Sequence, residues 1–136
     1  MRQQEPEKHR PGSTAHARRR KAFVLGLRAE SLAVFLLRLK DFSILARRYL
    51  GAGGEIDIIA ARGSTIIFVE VKARPSIEEA MTSITVEKSR RMSRGTRHWL
   101  ARNQRAAAKT WRGDVIFLAP WQMPRHAPNF IELDIS

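Results

Sequence analysis

Two short stretches of this chain carry residues whose chemistry is out of place in their surroundings. Gly54-Glu55-Ile56-Asp57 opens a segment rich in Ile and Ala, and Glu70-Val71-Lys72 closes the following one, rich in Ile, Phe and Val. Both segments read as buried β-strands, where a charge is expensive unless it is paired or bound to a metal. Asp57 and Glu70 would repel each other, and a hard cation with oxygen ligands would relieve that repulsion. Mg²⁺ typically takes one or two protein carboxylates together with waters and phosphate oxygens. Such an ion polarises a phosphate and generates a hydroxide-like nucleophile. Lys72 would place an ammonium beside the charge that develops in the transition state, or position the attacking water. The main-chain carbonyl of Val71 is a further candidate ligand. The chemistry these residues imply is hydrolysis of a phosphodiester with Mg²⁺ or Mn²⁺. The plain alternative is a set of structural ion pairs among Asp57, Glu70, Lys72 and a nearby arginine.

The elements that must position these groups follow from local pattern. Leu25 to Lys40 has helical periodicity, with Leu32, Phe35 and Leu39 on one face. Phe42 to Leu50 reads as a first strand, and Gly51-Ala52-Gly53-Gly54 as a turn that lacks the spacing and lysine of a Walker loop. Glu55 to Ala61 and Thr65 to Ala73 read as a hairpin turning at Arg62-Gly63. In that register Asp57 lies opposite Phe68 and Glu55 opposite Glu70. Asp57, Glu70 and Lys72 then share a face, Asp57 diagonal to Glu70 at about 7–8 Å. After a loop at Arg74-Pro75-Ser76, a long helix covers Ile84 to Asn103, with Met92, Gly95, Trp99 and Leu100 inward. Trp111 to Ala119 and Asn129 to Ile135 complete a set of five strands. Three adjacent strands with short links imply an antiparallel meander, and the helical crossover implies a return to the same sheet. The fold class is α/β with a mixed sheet.

Several residues read as structural. Glu55 is a second ligand or a support for the glycine turn. Asp114 suits a pairing with Arg112 or a capping role. His98 reads as exposed, and His9, His16 and His126 show no metal-ligand spacing. Trp99, Trp111 and Trp121 read as core residues, with Trp121, in a Pro-flanked loop, the one placed to stack on an exposed base.

Composition narrows the partners. The 136 residues suffice for one domain with a proper core, and the 43% hydrophobic content fits a globular chain rather than a disordered one. Without cysteine there is neither a disulfide framework nor a thiolate zinc site, which is compatible with a reducing cytoplasm. Apolar runs are too short for a membrane span, and the charged N-terminus has no signal-peptide hydrophobic region. The net charge of +12 favours polyanions, nucleic acid first and acidic membrane second. Residues 1–21 form a polar tail of charge +5, from seven Lys+Arg against two Asp+Glu, and residues 22–136 form the domain. Candidate phosphate contacts are Arg18, Arg19, Arg20 and Lys21 in the tail, and Arg47, Arg74, Lys88 and Arg91 in the domain.

Asp57 followed twelve residues on by Glu70-Val71-Lys72 resembles the core motif of the PD-(D/E)XK nuclease superfamily. Ala29-Glu30, Ile44-Leu45-Ala46-Arg47, Gly54 to Ala60 and Phe68 to Lys72 are together similar to the YraN family of Holliday-junction-resolvase-like proteins. The likeness spans roughly residues 24–118. It implies a restriction-endonuclease-like fold, a mixed β-sheet of about five strands flanked by helices. It also implies that Glu30 matches the superfamily's helical acidic residue, a third acidic group that reaches a metal through water. Glu30, Asp57, Glu70 and Lys72 are then the catalytic set, with Mg²⁺ or Mn²⁺ as cofactor and DNA, branched or otherwise structured, as substrate. Two departures stand out. Ile56 replaces a frequent proline, and the Phe-Gly pair expected after the lysine motif is absent from Arg74 to Thr82. An inactive nucleic-acid-binding module on the same fold is the alternative reading. A third is a structural protein whose basic tail docks an acidic partner. A homodimer follows only by analogy.

Overall fold

The computed structural model describes residues 28–135. In chain order these form a helix over 28–39 (α1) and the strands Ser43–Gly51 (β1), Gly54–Arg62 (β2) and Thr65–Ala73 (β3). The helices Ile77–Thr82 (α2), Val86–Arg102 (α3) and Gln104–Ala107 (α4) follow, then the strands Thr110–Leu118 (β4) and Arg125–Ile131 (β5). The five strands make one sheet in the order β1-β2-β3-β4-β5. Neighbours are antiparallel except β3 and β4, which run parallel because the α2–α4 segment carries the chain back along the sheet. This is the mixed sheet flanked by helices that the sequence implies. Among the described residues no helix is long and apolar enough to cross a membrane.

Each face of the sheet has its own core. On one face Ala29, Ala33, Val34 and Leu37 of α1 pack on Ile58, Ala60, Ile67, Val69 and Ile116. On the other, Met92, Trp99 and Leu100 of α3 pack on Ile59, Ile66, Phe68, Val115 and Phe117. The Trp99 and Phe68 rings meet edge to face at 5.6 Å. Burying a side chain of this size stabilises the fold by roughly 1.5–3 kcal/mol, which fixes α3 on the sheet. Met92, Gly95, Trp99 and Leu100 are all buried, as their spacing predicts.

The helix α1 turns the other way from its large-residue stripe. Leu32, Phe35 and Leu39 are exposed, and the sheet is met by the face bearing Ala29 and Ala33. Small residues let the helix lie close to the strands, whereas bulky side chains at those positions would hold it off.

The β2–β3 turn also departs from expectation. Arg62 pairs with Thr65, so the turn is Gly63-Ser64, with positive φ at Gly63 alone. That is the requirement of a type II′ hairpin, glycine at the first central position. The shift by one residue moves every cross-strand partner, and Ile59 rather than Asp57 faces Phe68. Strand β5 starts at Arg125, not Asn129. Its pattern is obscured by Pro128, tolerated on an edge strand, and by Asn129 at φ 53 opposite a break in register between Gly113 and Val115. Helix α2 carries a signal the periodicity passes over. Ser76 Oγ accepts the Glu79 N–H at 3.1 Å, in a Ser-x-x-Glu start.

The β1–β2 turn is Ala52-Gly53, both at positive φ. Just beyond it Gly54 lies against the backbone of α3. A Cβ there would collide with Gly95 N and come within 2.6 Å of Arg91 O. Gly95 in turn leaves room for Ile56. We expect Gly54→Ala to destabilise the fold by about 3 kcal/mol, because the obstacle is main chain that cannot step aside. Gly53→Ala, where a Cβ would meet only the Arg94 side chain at 3.9 Å but φ is 73, should lose only about 1 kcal/mol. Denaturant titration of both variants checks the order, and equal losses would mean that the helix is free to move away.

Candidate active site

The sheet brings Asp57 and Glu70 together where the β2–β3 ladder ends. The last pair is Ile58 with Val69, and the same register continued sets Asp57 opposite Glu70. Strand alternation breaks here. Ile58 and Ala60 belong to the α1 core, whereas Ile56 lies in the α3 core. Asp57 sits at that break, and its Oδ2 accepts the Val71 N–H at 2.8 Å. The carboxylate therefore bridges the two strands beside Glu70. Lys72, two residues along the same strand face, has Nζ 3.5 Å from Glu70 Oε1. The three residues singled out by type and spacing converge, by direct opposition rather than on a diagonal.

Glu70 is 2% exposed. Its Oε2 accepts no hydrogen bond, although Lys88 Nζ lies 3.2 Å away and out of alignment. Burial pushes the Glu70 carboxyl from the ordinary 4.5 up to about 7, the charge of Asp57 and a side-chain hydrogen bond with it add to the rise, and Lys88 and Lys72 pull against it. Lys88 was expected at the phosphate-binding surface. It is instead mostly buried and bridges Glu70 to Glu55, whose Oε1 is 3.1 Å from Nζ. Burial opposes its charge, but Glu70, Asp57 and Glu55 around it hold the ammonium above its usual 10.5. One signal pointed to this role. Lys88 is in the first turn of α3, where a cation opposes the helix dipole, so it needs an anionic partner. Thr85 caps that turn, accepting the Lys88 N–H at 3.1 Å. Glu55 thus supports the site through Lys88.

Glu30 enters from α1. Its two oxygens are taken by arginines, Arg47 Nε at 3.2 Å and Arg48 Nε at 2.9 Å. Arg48 was not foreseen, and it makes this contact from a position of φ 50 within β1. Glu30 lines the same cavity as Asp57 and Glu70, together with Arg28, Arg48, Lys72, Arg74 and Lys88. The cavity measures about 1040 Å³, and residues such as Leu32, Val71, Pro75 and Leu118 give it apolar walls. It opens at the carboxyl ends of the parallel pair β3 and β4, where open α/β sheets characteristically bind ligands.

The remaining expected phosphate contacts divide. Arg74 is exposed on the cavity wall. Arg47 is half exposed and committed to Glu30, and Arg91 is exposed beside Glu87 at 3.9 Å. Arg18, Arg19, Arg20 and Lys21 lie outside the described residues.

Asp114 is structural. It is fully buried and held by Arg112 Nε at 2.9 Å, His126 Nε2 at 2.7 Å and the Asn129 N–H at 2.9 Å. Burial opposes its charge, yet the hydrogen bonds from His126, Arg112 and Asn129 keep the carboxyl below its usual range. His126, expected in a loop, is thus the β5 side of a clasp on β4. His98 is half-buried rather than exposed, its Nδ1 2.6 Å from the Tyr49 hydroxyl.

The donor set fits a divalent cation of the hard kind. Two carboxylates adjoin, one has a buried oxygen without a hydrogen bond, and Val71, whose main-chain carbonyl is the further candidate ligand, lines the cavity. Among the described residues no group of three or more His, Cys, Asp and Glu side chains is arranged around one point. Waters and substrate oxygens would therefore complete the shell, and Glu30, occupied by arginines, would act at a distance.

A family model described as an uncharacterised protein family, UPF0102, matches residues 29–118, which contain Glu30, Asp57, Glu70, Val71, Lys72 and Lys88. The chain is similar to a UPF0102 protein of Methylocella silvestris, 54% identical over 87% of this chain and 95% of the relative. A UPF0102 protein of Methylorubrum extorquens is 50% identical over 92% of this chain and 98% of its own length. One from Bartonella bacilliformis is 42% identical over 84% and 93%. The chain belongs to the UPF0102 family, which is the YraN family.

Proposed function

We propose that this protein is a metal-dependent endonuclease that hydrolyses phosphodiester bonds in DNA. The observation that carries this reading is the Asp57–Glu70 pair, brought together at a strand break in an open cavity with Lys72 beside it. A bound Mg²⁺ or Mn²⁺, held by Asp57, Glu70 and the Val71 carbonyl, would polarise the phosphate and acidify a water. Lys72 sets an ammonium where negative charge would grow on the phosphate. Arg28, Arg48 and Arg74 on the cavity wall offer donors to flanking phosphates. Glu30 positions Arg47 and Arg48 through its two ion pairs.

A second reading has its own support. Lys88 already offsets part of the acidic charge, as a protein would that keeps the fold for binding nucleic acid without cutting it. Affinity would then fall steeply with salt while Mg²⁺ produced no cleavage.

The deciding assay incubates a plasmid and a four-way junction with Mg²⁺ or Mn²⁺. Asp57→Ala and Lys72→Ala should each lower the rate by about 100-fold or more, with folding intact by circular dichroism. Equal cutting by wild type and both variants would assign the activity to another protein.

The Glu70 carboxyl makes a second prediction. Its folded pKa lies above the unfolded value, so the folded state holds the proton more tightly. The contribution of Glu70 to stability is then fully present below about pH 4.5 and is lost as pH rises through 7, a change on the order of 3 kcal/mol in metal-free buffer. Glu70→Gln should flatten that decline, and added Mn²⁺ should reduce it by favouring the carboxylate. Melting curves across this range check it. A rise in Glu70-dependent stability over the same interval would contradict the assigned environment.

A further inference from the structure

The turn between β4 and β5 holds a residue for which folding alone gives no reason. The Gln122 N–H donates to the Ala119 carbonyl at 3.4 Å, closing the turn Ala119-Pro120-Trp121-Gln122. Proline's ring fixes φ at about −65° in the second position, and Trp121, third, has φ 60. This is the pattern of a type II turn, whose third position belongs to glycine or asparagine. A bulky L-residue there is strained. Nothing in the packing offsets the strain, since Trp121 is 103% exposed. Met123 is almost as open, at 86%.

The turn is nevertheless held in place. Gln122 Oε1 accepts the Ile77 N–H at 2.9 Å, tying it to the start of α2, and the Arg74 N–H donates to the Leu118 carbonyl at 3.1 Å. Ala119, Pro120, Gln122 and Pro124 line the cavity that contains Asp57, Glu70 and Lys72. Trp121 and Met123 alternate along the chain with these lining residues, an exposed apolar pair beside the cavity, Trp121 strained, on a fixed support. Two exposed cations border the loop, Arg74, whose N–H meets the Leu118 carbonyl just before it, and Arg125, two residues past Met123.

We infer that Trp121, backed by Met123, is a stacking platform for an unpaired nucleobase, so that the substrate class is nucleic acid with bases displaced from the duplex. A base inside continuous duplex is stacked on both faces and gains nothing from an indole. A base freed at a junction, flap, gap or single strand presents an open face, and stacking on an aromatic ring tolerates any sequence. Arg74 and Arg125 can meet the phosphates beside such a base. This inference rests on the nuclease reading of the adjoining cavity for its biological setting. Its physical content, recognition of an unstacked base, is separable from cutting.

The test is fluorescence anisotropy with the full chain in EDTA, using a labelled blunt duplex and the same duplex carrying a single-stranded flap. Wild type should prefer the flap. Trp121→Gly should lose about ten-fold affinity for the flap, leave duplex affinity unchanged, and melt no lower than wild type because glycine suits the turn. Trp121→Phe should retain most of the preference. An unaltered preference in Trp121→Gly would overturn the inference, as would an equal loss on both DNAs or a clear fall in melting temperature. Absence of nucleic-acid binding by wild type, or Trp121-dependent binding to anionic phosphatidylserine vesicles in its place, would also overturn it. Mg²⁺ added afterwards separates the two readings. Flap preference without cleavage keeps the platform and removes the nuclease, and cleavage without preference does the reverse.

Discussion

The site depends on one costly arrangement, the Glu70 carboxyl held out of water against the Asp57 carboxylate. Two acidic groups that share a buried corner cannot both ionise freely. The protein answers in part with ammonium groups, Lys72 at 3.5 Å and Lys88 at 3.2 Å. The answer is incomplete, because Glu70 Oε2 still accepts no hydrogen bond and the carboxyl still holds its proton to about pH 7. A buried carboxyl left this way costs folding free energy, and under the proposed function a cation would offset that cost.

The rest of the fold serves that corner. Asp57 reaches the Val71 N–H only because β2 breaks its alternation between Ile56 and Ile58. Lys88 reaches Glu70 only because α3 lies close to the sheet, which Gly54 and Gly95 allow by having no side chain at the point of approach. Glu30 pairs with Arg47 and Arg48, and Arg28 of α1 and Arg48 of β1 line the cavity together with Asp57 and Glu70. Under the proposed function, phosphate groups would meet the cations of this lining.

Much of this was legible in the chain. Strands β2 and β3 announce themselves through Ile and Val runs, and charged residues inside those runs mark the site. The inward face of α3 follows from Met92, Trp99 and Leu100. Other features were hidden for physical reasons. Helix α1 carries apolar residues on both sides, so periodicity selected Leu32, Phe35 and Leu39 when close packing selected alanines. The β2–β3 register depended on whether Gly63 is the first or second turn residue, which composition does not decide. The error was harmless to the site, because a shift of one residue in the turn changed the partner sum by two and preserved the face. Lys88, read as one cation among many on a basic helix, is distinguished only by its place in the first turn and by the tertiary approach to Glu55 and Glu70. The strain at Trp121 is a backbone property that no side-chain pattern reveals.

The most direct measurement is anomalous scattering from crystals of the protein soaked in Mn²⁺ near neutral pH. The proposed cation site predicts one strong peak in contact with Asp57 and Glu70, with the Lys88 ammonium displaced from its position 3.2 Å from Glu70 Oε2. No peak at that position, with Lys88 still seated between Glu55 and Glu70 at saturating Mn²⁺, would contradict it and leave the acidic pair a structural feature.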